Sequence, residues 1–113
     1  YATHWLFHNV AWLWPLHAVH HRDDAIDLST TFRSHPGNYL LSSAVNFALV
    51  LALGPAVLVA VIADLVLTAA GLFHHANLRL PDRSSARLER WLVTPRMHLV
   101  HHARARELHD SNY

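Results

Sequence analysis

Two five-residue runs hold the densest chemistry in this chain: His17-Ala-Val-His20-His21 and His98-Leu-Val-His101-His102. On an α-helix, positions i, i+3 and i+4 share a face, so each run is expected to present three imidazoles in one direction. His4 and His8, spaced i, i+4, share a face in the same way. Neutral imidazole is a ligand for iron, zinc, copper or nickel, whereas calcium and magnesium take oxygen. These eight histidines in three same-face groups exceed the four ligands of one tetrahedral zinc. They suit two metal ions.

Bulk properties narrow the setting. The 113 residues suffice for one domain and not two. We read residues 1–113 as one domain, expected to be a segment that lacks upstream transmembrane helices. There are 12 His and no Cys, and all 9 basic side chains are Arg. Without Cys there are no disulfides, Cys-based zinc sites or thiolate catalysis. A formal charge of +1 gives no electrostatic case for a nucleic-acid partner.

The elements that must position the imidazoles follow from a sharp segregation of charge. Within Tyr39–Phe73 the only charged residue is Asp64, while the outer thirds are rich in His, Arg, Asp and Trp. The expected fold is all-α: a membrane-embedded helical hairpin, with His-bearing helices forming a di-metal site on its polar side. Tyr39–Leu53 and Pro55–Phe73 are the two apolar legs, separated by Gly54-Pro55. One unbroken helix would be roughly 50 Å long, too long for a hydrocarbon core of about 30 Å. Two legs also have the right parity, because a single span would put the two HxxHH runs on opposite sides of the membrane. Asp64 is costly in lipid, and a hydrogen bond from Asn46 is expected to hold it and fix the hairpin register.

Around the hairpin, Tyr1–Asn9 reads as the end of a helix. Pro15, tolerated in a first turn, places a second helix from near Leu13 to about Arg22. Arg22–Asp27 is a polar connector and Leu28–Ser34 is expected to be extended. Pro36 disfavours helix at His35 and opens the next element. After His74-His75, the loop Leu80–Ser85 offers Asp82, Ser84 or Ser85 as an N-cap. An amphipathic helix is then expected over Ser85–Val93. Arg83, Arg87 and Arg90 form a cationic stripe, to be solvated or to rest on anionic headgroups. Thr94-Pro95 is an N-cap with Pro at the first helical position, opening the helix that carries His98.

Taken in order, these motifs resemble the fatty acid hydroxylase/sterol desaturase superfamily of membrane non-haem di-iron enzymes. The matching features are His4-x-x-x-His8, the LHAVHH run ending at His21, and Arg33-Ser-His35-Pro36. Phe73-x-His75-x-Asn77, TPRMHLVHH ending at His102, and Asp110-x-Asn112-Tyr113 follow. The resemblance implies His4, His8, His17, His20, His21, His98, His101 and His102 as metal ligands, with His75 as a ninth. His35 matches a family position that is ligand or support, read here as support, and Asn77 falls in the motif around His75. His74 points about 100° away from His75 on a helix and reads as supporting or packing. Asp23, Asp24, Asp27, Glu107 and Asp110 are acids able to orient a metal-bound imidazole, Asp24 and Asp110 first among them, and Arg33 either joins them or is solvated. His109 has no i+3 or i+4 histidine partner and reads as a surface residue. Trp5 departs from the family, which often has Arg directly after the first histidine.

The implied activity is O2-dependent hydroxylation or desaturation of a lipid C–H bond, in a fatty acyl, sterol-like or carotenoid-like substrate. The implied cofactors are two iron ions, with zinc as a product of mismetallation. Electrons are expected from an external cytochrome b5-like or ferredoxin donor, since the chain has no haem, flavin or Fe–S signature. The expected location is an integral membrane, with the histidines on the cytoplasmic side of a bacterial inner membrane or of the endoplasmic reticulum in a eukaryote. Two other readings remain open: a non-redox zinc-binding or structural His-rich membrane protein, and a haem-binding bundle. Leu40–Leu72 has no histidine to serve a transport path, and triads overshoot the two axial ligands of haem.

Overall fold

The computed structural model describes residues 1–109 and Ser111, the side chains of Arg106 and His109 excepted. In chain order come α1 (Ala2–Asn9), α2 (Trp14–Ala18), 3-10 helices at His20–Arg22 and Leu28–Phe32, α3 (Pro36–Leu53), α4 (Val57–His75), α5 (Asp82–Leu88), α6 (Pro95–His101) and α7 (Arg106–His109). No strand occurs among the described residues, and the all-α expectation holds.

The two long helices follow from punctuation at their ends. Pro36 occupies the first turn of α3, and the His35 imidazole Nδ1 accepts from the Gly37 N–H at 3.0 Å. The helix stops at Gly54, which adopts φ +58° and donates its N–H to Val50 O at 3.0 Å. That left-handed cap costs a glycine little and a β-carbon more. Pro55 then prevents continuation, and α4 starts at Val57. With 18 and 19 residues, α3 and α4 are about 27 and 29 Å long, close to the hydrocarbon core of a bilayer. Both are long and apolar enough to cross a membrane, and their apolar side chains point away from the protein.

The long helices make little contact with each other. α4 packs on Leu28–Phe32 and on α6, while α3 packs on α2. Asn46 and Asp64 are both exposed and no hydrogen bond joins them, which corrects the expected register bond. The elements gathered at the ends of the two helices set their placement instead.

Three local expectations also change. Leu28–Phe32 is a 3-10 helix rather than extended. Asp27 Oδ1 accepts from Ser29 N–H at 2.7 Å, and Thr30 Oγ1 accepts from Asp27 N–H at 3.1 Å. These reciprocal bonds outweigh the strand preference of a Thr-rich stretch. The second helix is α only to Ala18 and tightens to 3-10 at His20–Arg22. The helix expected over Ser85–Val93 runs over Asp82–Leu88, with Pro81 as its N-cap and no side-chain cap.

The protein's centre is imidazole rather than hydrocarbon. Among the described residues the buried hydrophobic side chains are Phe7, Leu13 and Ala76. Buried beside them are His8, His17, His20, His75, His98, His101 and His102. Such a centre gains little from hydrophobic burial, and polar groups out of water are costly unless something satisfies them.

Candidate metal centre

Nine histidines from five elements gather into two adjoining groups. His4, His8, His17, His21 and His101 form one, and His20, His75, His98 and His102 the other; within each, the ligand-capable atoms lie within 4.8 Å of one another. The groups touch: the His21 and His102 rings stack with centroids 4.5 Å apart, and His98 stacks on His101 at 5.1 Å.

Each HxxHH run is divided between the groups, which corrects the expectation of one common direction. His17 and His21 enter the five-histidine group and His20 the other; His98 and His102 enter the four-histidine group and His101 the other. The reason is angular. Residues i and i+4 differ by about 40° around a helix, but i+3 and i+4 differ by about 100°. The middle imidazole therefore leans to the neighbouring centre, and the two runs exchange it reciprocally. This interleaving makes the two groups one structural unit.

α3 begins and α4 ends beside the same histidines. His17 Nδ1 lies 3.3 Å from Asn38 Oδ1 in the first turns of α3. His75 Nε2, at the last residue of α4, lies 3.1 Å from His20 Nε2. Both HxxHH runs therefore converge at one end of the helix pair, with the Gly54 turn at the other.

Oxygen atoms behind the rings set their orientation. His20 Nδ1 donates to Arg33 O at 3.1 Å, and His101 Nδ1 donates to Ser111 O at 2.7 Å. His75 Nδ1 donates to Gly71 O at 2.8 Å and reaches Thr31 Oγ1 at 3.1 Å. This pattern places the proton on Nδ1 and leaves Nε2 with its lone pair, as a metal-binding histidine requires. Between His20 and His75 two such lone pairs face each other, an arrangement that no hydrogen bond can relieve.

The geometry fits a cation. Ligands at the usual 2.0–2.1 Å from one ion stand about 2.9 to 3.4 Å apart. The Nε2 pairs His4–His17, His20–His75, His75–His98, His4–His101 and His98–His102 stand 2.9–3.2 Å apart. Burial, then the charge of neighbouring imidazoles, pushes His17 and His102 down to about 2. Burial and His75 push His20 down to about 4, and His4, His21 and His98 lie far below the ordinary histidine range for the same reasons. All six are neutral, ligand-competent rings at physiological pH.

The remaining sequence candidates fall outside these groups. His35 is exposed and caps α3. The His74 ring lies 5.4 Å from His98 and lines a cavity of about 400 Å³ with Asn77, Arg79, Leu99 and others. Asp24 is exposed and paired with Arg104. Asp110 lies outside the described residues, as do the side chain of His109 and its surface assignment. Arg33 serves through its carbonyl, while its guanidinium binds Asp23 at 2.8 Å. Asp23 also accepts from fully buried Thr30 at 2.6 Å, and these two bonds hold its carboxyl below the usual range.

Sequence reasoning missed Thr31, Asn38 and the carbonyls of Gly71 and Ser111. Only Gly71 had a readable signal, as the residue four before a candidate helical ligand. Its missing side chain admits Thr31, whose Cγ2 would stand 3.2 Å from an added Cβ.

Fold and site together define a class: an all-α protein with two span-length apolar helices and two contiguous imidazole groups able to bind metal. The family model described as fatty acid hydroxylase matches residues 1–113. The chain belongs to the fatty acid hydroxylase family, whose membership supports a lipid-modifying enzyme associated with a membrane. No curated protein and no solved structure matches it.

Proposed function

We propose that residues 1–113 form the metal-binding domain of a membrane di-iron oxidoreductase that hydroxylates or desaturates a lipid C–H bond using O2. The observation that carries this reading is the pair of interleaved all-imidazole groups at one end of two span-length helices.

A C–H bond in a lipid tail has no leaving group, carbonyl or acidic proton for a side chain to act on. Two irons held by the nine histidines would supply redox chemistry and O2 activation, which the cofactor rather than the protein carries. Oxygen insertion into C–H, with the second oxygen atom leaving as water, consumes two electrons and two protons; desaturation consumes the same and releases two waters. An external cytochrome b5-like or ferredoxin donor supplies the electrons. The chain's own task is to keep the imidazoles neutral and oriented. Arg33 O, Gly71 O, Thr31, Asn38 and Ser111 O do so through Nδ1. The cavity beside His74 adjoins the four-histidine group, a position suited to bringing substrate toward it.

The histidine side is assigned to the cytoplasm. Arg22 and Arg33 precede α3, Arg79, Arg83, Arg87 and Arg90 follow α4, and Leu53–Ala56 between them has no basic residue. That asymmetry supports the reading, because arginine-rich flanks favour the inner side.

The test is metal content and optical spectrum of detergent-purified protein with its native flanks. About two irons per chain without a Soret band are expected for a histidine-rich di-iron site. Zinc that cannot be replaced by iron with recovery of product would select the structural zinc reading. A Soret band would select haem.

A further inference from the structure

The nine histidines leave unexplained the basic segment that follows α4. Arg79, Arg83, Arg87 and Arg90 are all exposed, and none makes an ion pair or hydrogen bond among the described residues. Arg83 and Arg87 stand i, i+4 on one face of α5, and Arg90 follows in the turn just beyond its end. Beside them Trp91 is 86% exposed and Leu92 51% exposed. The nearby acids do not balance this charge, because Glu89 is taken by Arg96, Ser85 and Thr94 and Asp82 stands alone against four arginines.

We infer that this segment is a binding surface for anionic phospholipid headgroups of the bilayer that α3 and α4 cross. The inference rests on that crossing and not on the oxygenase reading. Three observations select lipid over an acidic soluble protein. First, α5 starts seven residues after His75, where α4 ends, so the short connector keeps it close to the membrane surface. Second, the arginines form a cluster just beyond a span, the arrangement that gathers anionic headgroups. Third, an exposed Trp and Leu accompany the charge. An amphipathic indole beside guanidinium groups matches the headgroup–acyl boundary, whereas a surface made only for carboxylates needs no indole.

The experiment uses the full-length protein in lipid nanodiscs and reads the fluorescence of Trp91, as the difference between wild type and Trp91→Phe. Brominated phosphatidylglycerol and brominated phosphatidylcholine are compared as quenchers in mixed bilayers. Each arginine that reaches the surface is expected to contribute about fivefold to local preference for the anionic lipid, so the quenching should report a preference above about tenfold. In about 1 M salt, where the Debye length is about 3 Å, the preference should collapse toward unity. Arg83→Gln combined with Arg87→Gln and Arg90→Gln should do the same at low salt. Equal quenching by the two lipids in wild type at low salt overturns the proposal. So does a Trp91 quenched by acrylamide from water but by neither lipid, a result that would give this face to solvent or to an acidic soluble partner. The salt titration needs no variant, so a misfolded triple substitution does not remove the test. Whether α3 and α4 cross is read separately, by impermeant-reagent labelling of their connecting turn.

Discussion

His20 and His75, 55 positions apart in the chain, point their Nε2 atoms at each other across 3.1 Å. Each ring commits its Nδ1 proton to a backbone carbonyl, Arg33 O for His20 and Gly71 O for His75. Two buried lone pairs in this arrangement repel unless a cation lies between them. Removing one ring should therefore act on metal content before it acts on fold. His75→Ala is expected to lower bound iron by at least one equivalent and to abolish product formation. His101→Ala should abolish product formation too, while membrane insertion stays intact in both. Iron stoichiometry and alkaline extraction of membranes check this; an active His101→Ala protein would remove that residue from the ligand set.

The oxygen atoms behind the rings make a graded prediction. Asn38 Oδ1 is the one side-chain acceptor recorded for His17 Nδ1, so Asn38→Leu should weaken metal binding by about 10- to 100-fold. Thr31→Val should do much less, because His75 Nδ1 keeps Gly71 O at 2.8 Å when the hydroxyl is lost. Competition with a chromogenic chelator ranks the two. The opposite order would mean that the Thr31 hydroxyl, rather than the helix carbonyl, orients His75.

Gly71 and Thr31 should be coupled. A β-carbon on Gly71 would meet Thr31 Cγ2 at 3.2 Å, tight enough that one of them must move. Moving the Leu28–Phe32 helix also moves Arg33 O, the partner of His20. Gly71→Ala should cost about 1 kcal/mol through this contact and weaken metal binding. Thr31→Ser, which removes the offending methyl and keeps the hydroxyl, should restore most of the loss in the double variant. Additive rather than compensating effects in a double-mutant cycle would refute the coupling.

Much of this was legible from spacing. The helix punctuation at Pro36, Gly54-Pro55 and Thr94-Pro95 fixes where α3, α4 and α6 begin or end, because proline and glycine act locally. Eight of the nine clustered histidines stand out by type and interval, and His75 followed only from the family resemblance. The partition of each HxxHH run could not be read, because it depends on a second centre lying on the far side of the middle imidazole. The 3-10 helix at Leu28–Phe32 was missed because Asp27 and Thr30 satisfy each other's backbone, a local bond that outweighs propensity. Asn46 and Asp64 failed differently. Their pairing assumed close packing of α3 and α4, and these helices pack on other elements rather than on each other.

Metal removal and acid should destabilise the protein in the same direction. With so few buried hydrophobic side chains, binding free energy at the imidazoles is folding free energy. Chelation is therefore expected to lower the thermal midpoint markedly. In the stripped protein, His20 is depressed to about 4 and His17 and His102 to about 2. As pH falls through about 6.5, the unfolded chain takes up protons that the folded chain refuses, so the slope of stability with pH is positive. Stability is full above that value and falls steadily toward pH 4 and below. Thermal melts of chelator-treated protein between neutral and acid pH test this. A midpoint that rises on acidification would mean the rings are not buried as a neutral cluster.

The sidedness of the helix pair is simple to measure, because the chain has no native cysteine. The His-bearing elements, α5 and every arginine lie at one end of the helix pair, and the uncharged Leu53–Ala56 turn lies at the other. If α3 and α4 cross the bilayer, Ala56→Cys and Ser84→Cys must sit on opposite faces. An impermeant maleimide added outside intact cells should label Ala56→Cys and leave Ser84→Cys unlabelled until the membrane is opened. Ser84 is exposed and Ala56 lies in the short turn between helices, so neither substitution disturbs a buried contact. Labelling of both from outside would mean that the apolar pair lies along one face of the membrane. The positive-inside argument would then no longer assign the metal centre to the cytoplasm.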